Sequence, residues 1–220
     1  MKNFRILLAV CFLAMATAVN AQFANSSSAV SVGSSAADTE AWQGVRFSYN
    51  SYTIDESEME YDAISAFELG YVKAFSISQE LPLFLETGAS FVYATGDLFS
   101  EYGVDLSLNM SSLVVPFNVG YKVAFGDNMS FFPYVGVSLK GHLAGEMELS
   151  YDGNSMTADI FDEDDMGKDA AYNRFQIGWQ IGATLNINKF NFGVSYGTDF
   201  MELAKKVDSK TFKASVGFNF

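Results

Sequence analysis

The residues able to do chemistry are few, and their spacing is regular. His142 is the single histidine, and it lies two residues after Lys140 and four before Glu146. A histidine near a carboxylate can serve as a general base, yet no Ser-His-acid arrangement stands out. The only cysteine is Cys11, which leaves no thiol nucleophile in the body of the chain. In "DEDDMGKD", Asp162, Asp164 and Gly167 match the first, third and sixth positions of an EF-hand loop. Met166 fills the fifth and Asn173 the twelfth, where a bidentate Glu belongs, so this is not an EF-hand. Asp159, Asp162, Glu163, Asp164 and Asp165 instead make an acidic loop, the segment expected to contact a partner. A weaker divalent-ion site formed by these carboxylates is the alternative. No catalytic set, cofactor site or metal site is assigned.

These residues ride on alternating segments. Residues 42–220 contain eight, at about Trp42–Ile54, Ala63–Ile77, Leu81–Thr95, Val104–Phe125, Ser130–Tyr151, Asn173–Ile187, Phe190–Leu203 and Ser209–Phe220. Strict alternation predicts strands. "SISQEL", "FGDNMS" and "INKF" read as tight turns. The other connections are longer and acidic, the largest running from Asp152 to Tyr172. Short and long connections alternate, as in an up-and-down meander with one trimmed end and one elaborated end.

Volume decides which face is inside. Phe175, Ile177, Trp179, Ile181, Ala183, Leu185 and Ile187 share one face of the sixth segment; Gln176, Gly178, Gln180, Gly182 and Thr184 share the other. An eight-stranded barrel has an interior only just wide enough for side chains, so the bulky faces must look outward. Water does not tolerate that much contiguous apolar surface, whereas lipid does, and closure satisfies the backbone hydrogen bonds that hydrocarbon would leave unmet. The expected fold is all-β: a transmembrane, eight-stranded, antiparallel up-and-down barrel. The inferred lumen holds Arg46, Glu68, Glu86, Lys122, Lys140, His142, Glu146, Glu148, Arg174, Asp199 and Lys213. In a dry interior such charges must pair, which predicts an ion-pair plug; a lining for a narrow solute path is the alternative. His142 reads as a network histidine.

Two irregularities stand out. Leu106, Leu108 and Met110 fall on even positions, but Leu113, Val115, Phe117 and Val119 on odd ones. A β-bulge near Ser111–Ser112 explains the change, or else the upper part of the strand stands clear of the bilayer. Lys73 points to lipid near the turn end, where it can snorkel. Trp42, Tyr49, Tyr71, Tyr93, Tyr121 and Trp179 are candidates for interfacial girdles.

The N-terminus reads as an export signal. Lys2 and Arg5 precede an apolar run from Ile6 to Ala16, and "AVNAQ" suits cleavage after Ala21. Residues 1–21 are the expected signal peptide, 22–41 a flexible Ser/Ala-rich segment, and 42–220 the barrel. The net charge of −13 argues against nucleic acid as a partner.

The stretches "LVVPFNVGYK" (Leu113–Lys122), "FPYVGVSLKG" (Phe132–Gly141), "GWQIGATLN" (Gly178–Asn186), "FNFGVSYG" (Phe190–Gly197) and the terminal "FNF" carry a resemblance. Over about 42–220 the chain resembles the small outer-membrane β-barrel proteins of Bacteroidetes, often labelled porin family, and more distantly OmpA/OmpX-type barrels. The resemblance implies a monomer in a Gram-negative outer membrane. Its partners would be outer-membrane lipids and lipopolysaccharide, with the barrel assembly machinery during biogenesis. It also implies that Val216, Phe218 and Phe220 form a C-terminal assembly signal, read by strand addition. The expected function is that of a non-enzymatic barrel with a filled lumen, acting through its acidic loops in surface binding or envelope integrity. A narrow passive channel is the alternative, and an envelope lipid or peptide hydrolase comes third.

Overall fold

A computed structural model describes residues 40–56, 59–60, 63–78, 80–101, 104–125, 128–167, 171–201 and 207–220. The expected signal peptide and nearly all of the Ser/Ala-rich segment lie outside the described residues. The strands are β1 (Gln43–Glu56), β2 (Met59–Glu60), β3 (Ile64–Ser76), β4 (Leu83–Glu101), β5 (Val104–Tyr121), β6 (Val123–Ala124), β7 (Met129–Tyr151), β8 (Asn154–Asp159), β9 (Phe175–Ile187), β10 (Phe190–Asp199) and β11 (Val207–Asn219). One short helix, α1 (Glu163–Met166), follows β8.

Eight of these strands form the barrel, in the order β1, β3, β4, β5, β7, β9, β10, β11. All neighbouring pairs are antiparallel, and β11 closes onto β1 from Gly44↔Asn219 through Glu56↔Val207. Following partners once around, Gln43 leads to Lys73, Thr87, Phe117, Val137, Trp179, Thr198 and Lys210, and returns to β1 at Thr53, ten residues further along. That stagger, with strands about 4.8 Å apart and about 3.4 Å per residue, tilts the strands about 40° from the axis. The backbone then lies roughly 8 Å from the axis, and side chains must fill what remains.

The alternation is realised as expected. Phe47, Phe67, Leu69, Phe91, Val135, Val137, Phe192 and Val216 are among the bulky residues exposed on the outer surface. Small residues make the interior close. A Cβ added at Gly182 would stand 2.5 Å from the Tyr134 hydroxyl, so a glycine there is what lets the Tyr134 ring lie over the neighbouring strand β9. Three connections at one end are short. In the tightest, Asn188 adopts a left-handed φ of 54° between paired Ile187 and Phe190, a conformation Asn tolerates better than most residues.

The Asp152–Tyr172 connection has structure of its own. Asp152 and Gly153 carry φ of 47° and 77°, and their two-residue turn returns the chain as β8, which pairs with β7 from Tyr151↔Asn154 to Glu146↔Asp159. Asp-Gly is the usual sequence for this hairpin turn. At α1, Asp162 caps the helix by accepting from the Asp164 amide at 2.8 Å.

The irregularity near Ser111–Ser112 is present, but on the partner strand. Ser111 pairs with Ala144 and Ser112 with His142, which leaves Leu143 of β7 as the extra residue. β5 keeps one phase throughout: Leu108, Met110, Ser112, Val114 and Asn118 are all buried inside. Its outward residues here are polar, among them Asn109 and Ser107, so its upper part extends beyond the apolar band.

Candidate functional site

The lumen is filled in tiers. At the short-turn end, Trp42, Phe84 and Phe132 form an aromatic floor, with Trp42 4.7 Å from Phe84 and 5.1 Å from Phe132 between ring centroids. Trp42 is therefore a lumen residue and not part of an outer girdle. It shares the phase of Gly44, Arg46 and Ser48, which turns it inward. Tyr49, Tyr71, Tyr93 and Trp179 do lie on the outer surface. The Tyr71 hydroxyl donates to Gln43 at 2.8 Å, and Tyr49 and Ser65 exchange a 2.8 Å hydrogen bond. Lys73 faces outward with its ammonium 5.1 Å from the Phe75 ring.

Above the floor, Arg46 grips Glu86 with two hydrogen bonds, of 2.7 and 2.6 Å. Glu86 is fully buried and also accepts from Trp42 Nε1 at 3.2 Å and Asn118 at 3.4 Å. Four donors around one carboxylate offset much of its desolvation. Gln180 donates to Asn118 at 2.6 Å and extends the network. A second tier pairs Lys213 with Glu68 at 2.6 Å, and Asn50 donates to the same carboxylate at 3.0 Å. A third pairs Lys140 with Asp199 at 2.8 Å, and Ser209 donates to Asp199. Cavities of about 30 and 20 Å³ remain among these tiers, each with room for about one water.

Of the remaining lumen candidates, His142 is buried and its Nδ1 lies 2.7 Å from Ser112 Oγ. Lys122 lies at the floor, 5.5 Å from the Trp42 ring and 5.8 Å from the Phe84 ring. Glu146 and Glu148 are not in the lumen. The extra residue Leu143 reverses the phase of β7, so Gly145 and Met147 turn inward and Glu146 stands exposed outside, opposite Asn109 and Asp159. Arg174 also lies outside the lumen proper. It sits at the rim just before β9, 53 % exposed, 3.8 Å from Asp159 and donating to the Leu143 carbonyl at 3.2 Å.

The top of the lumen is apolar. Ile64, Val92, Leu98, Leu108 and Met110 are buried there around Ile160, which has no exposed surface at all. Ile160 comes from the long connection, not from a barrel strand. Its amide donates to the Gly145 carbonyl at 3.2 Å, and its carbonyl accepts from the Tyr172 amide at 2.7 Å. Phe161 follows it, stacked 5.7 Å from the His142 ring and 4.5 Å from the Arg174 guanidinium. The base of the loop is thus a stopper. Sequence reading missed Ser112, Ile160 and Phe161; the signal was the inward row of large apolar residues at Leu106, Leu108 and Met110, which needs an apolar partner inside.

The five acidic loop residues are exposed. Three of these carboxylates serve the loop's own amides: Asp159 accepts from the Phe161 amide at 2.9 Å, Asp162 from the Asp164 amide at 2.8 Å, and Asp165 from the Asp159 amide at 3.1 Å. No grouping of three or more metal-ligating side chains occurs among the described residues. At the other end, the terminal strand is bonded to its last residue, where the Phe220 amide donates to the Gln43 carbonyl at 3.0 Å. Val216, Phe218 and Phe220 all face outward.

The fold is similar to that of the attachment invasion locus protein Ail of Yersinia pestis, at 16 % identity over 82 % of this chain and 99 % of Ail, with a TM-score of 0.47. Neisserial surface protein A is similar at 13 % identity over 82 % of this chain and 99 % of its own, with a TM-score of 0.43. No curated protein sequence matches the chain. A family model for the outer membrane protein beta-barrel domain matches residues 7–220, and the chain, a closed antiparallel eight-stranded barrel, belongs to that family.

Proposed function

We propose that this protein is a non-enzymatic outer-membrane barrel with a closed lumen, which acts through its acidic extracellular loop in surface binding or envelope integrity. The observation that carries the reading is the double closure: Trp42, Phe84 and Phe132 fill one end and Ile160 the other, with three buried ion pairs between them. A side-chain-filled interior is what eight strands allow. The short-turn end then faces the periplasm and the Asp159–Asp165 segment faces outward. Its carboxylates suit cation-bridged contact with lipopolysaccharide, and assembly proceeds through the terminal strand. The Ser112–His142 pair supports no hydrolase, because the adjoining cavity of about 20 Å³ cannot admit an ester or peptide beside Ser112 Oγ.

Planar-bilayer recording of the refolded barrel at pH 7.5 tests the closure, and silence is expected. Conductance steps altered by Lys140→Gln or Glu86→Gln would replace this reading with the narrow channel. For the loop, a Gram-negative host producing the barrel is compared with one producing the Asp162→Asn, Glu163→Gln, Asp164→Asn, Asp165→Asn variant. Detergent resistance should fall in the variant at equal barrel abundance; equal resistance would remove the acidic loop from envelope integrity.

A further inference from the structure

The loop-end stopper rests on a titratable ring. His142 is buried, its ring lies nearly parallel to Phe161 at 22°, and the same Phe161 carries the Arg174 guanidinium. One imidazole nitrogen is engaged with Ser112 Oγ; the other, Nε2, is buried and has no hydrogen-bond partner among the described residues. A neutral ring suits this setting, since it offers Phe161 a flat, largely apolar platform. A doubly protonated ring does not: whichever nitrogen carries the neutral ring's proton, the charged ring must hold an N–H at Nε2, where no acceptor lies among the described residues.

The surroundings offer a new cation little relief. β7 contributes Lys140, β10 Asp199, β1 Tyr52, and the rim before β9 Arg174. β5 and β11 present Ser112 and Ser209, while β3 and β4 present Ile64 and Val92. Asp199 is the one carboxylate among these, and it already holds Lys140 at 2.8 Å and accepts from Ser209. Two cations, Lys140 and Arg174, would repel a third.

We propose that His142 is an acid-sensitive latch on the loop-end stopper, and that its protonation releases Phe161 and Ile160 and opens the upper lumen to the medium. Departure of Phe161 lets water reach Nε2 and hydrate the charge, which the closed form prevents. The open form therefore binds the proton better, so acid favours opening and neutral pH restores closure. The aromatic floor stays in place, and the result is a blind pocket that passes Lys140 and Asp199 and ends at the Arg46–Glu86 pair above that floor, rather than a through-pore. The latch is independent of what the acidic loop binds.

Cysteine accessibility tests it. In a full-length chain carrying Cys11→Ser, a thiol is placed beneath the stopper by Ser138→Cys, or on exposed β8 by Ser155→Cys. Each refolded barrel is treated with a small charged methanethiosulfonate at pH 7.5 and pH 5.0. The rate at position 138 relative to position 155 should rise at least tenfold on acidification, and reverse on return. His142→Gln should abolish the rise. Where that variant lacks the heat-modifiable gel shift of a folded barrel, His142→Phe keeps the ring platform and should be equally flat. An unchanged ratio with His142 in place, or the same rise in the His142 variants, would overturn the proposal.

Discussion

Gly145 and Ile160 are shaped for each other: a Cβ at position 145 would stand 2.5 Å from Ile160 Cδ1. The glycine is required by a neighbour 15 residues away and not by its own backbone conformation. Gly145→Val should therefore push Ile160 out of its socket while leaving the barrel paired. Position 138 thiols should become reactive at pH 7.5 to the level otherwise reached only with the stopper out. Ile160→Ala, which empties the socket without a clash, should lower stability by about 2–4 kcal/mol in denaturant titration. A Gly145→Val barrel as closed as the parent would show that Ile160 is not what seals the top.

The Arg46–Glu86 pair makes a different prediction. Glu86→Gln leaves Arg46 buried opposite a neutral partner and should cost about 3–5 kcal/mol, the typical cost of breaking a buried pair from one side. Arg46→Met with Glu86→Met should cost less than the sum of the single changes, because neither charge is then stranded. Glu146→Gln, the same chemical change outside the lumen, should leave the denaturation midpoint unmoved. If Glu146→Gln destabilised as much as Glu86→Gln, the reversed phase of β7 after Leu143 would be wrong.

The two tryptophans report on opposite sides of the wall. Trp179 is 37 % exposed on the outer surface, and Trp42 is packed on Phe84 and Phe132 inside. In vesicles of brominated lipid, a Trp42→Phe barrel should be strongly quenched because only Trp179 remains. A Trp179→Phe barrel should be quenched weakly. Equal quenching of both would put Trp42 back at the lipid interface.

Much of this architecture was legible in the sequence. Alternation located the eight barrel strands, and the mismatch between bulky faces and a narrow interior showed which face of the barrel looks outward. An ion-pair plug could be expected as a set of lumen charges, but not its partners. Which lysine meets which carboxylate depends on the ten-residue stagger, and no single strand records that stagger. Glu146 and Glu148 were misplaced because one extra residue in β7 reverses everything after it, and the visible phase change sat on the neighbouring β5. The apolar row Leu106–Leu108–Met110 was read as a defect because its complement, Ile160, lies in a connection read as an acidic loop. Trp42 carried the right phase from the start but was read as a girdle candidate, because its partners inside the lumen, Phe84 and Phe132, come from strands distant in the sequence.

Closure of β1 onto β11 has one last consequence. The Phe220 amide reaches the Gln43 carbonyl, so the two ends of the barrel domain meet at one rim. A short linker joining them would leave every hydrogen-bonded pair in place, with new ends cut at the Asn188–Lys189 turn. The architecture is therefore indifferent to which strand is made last. A circularly permuted chain would keep the whole barrel and lose only the terminal phenylalanine, which separates the requirement for closure from the requirement for an assembly signal.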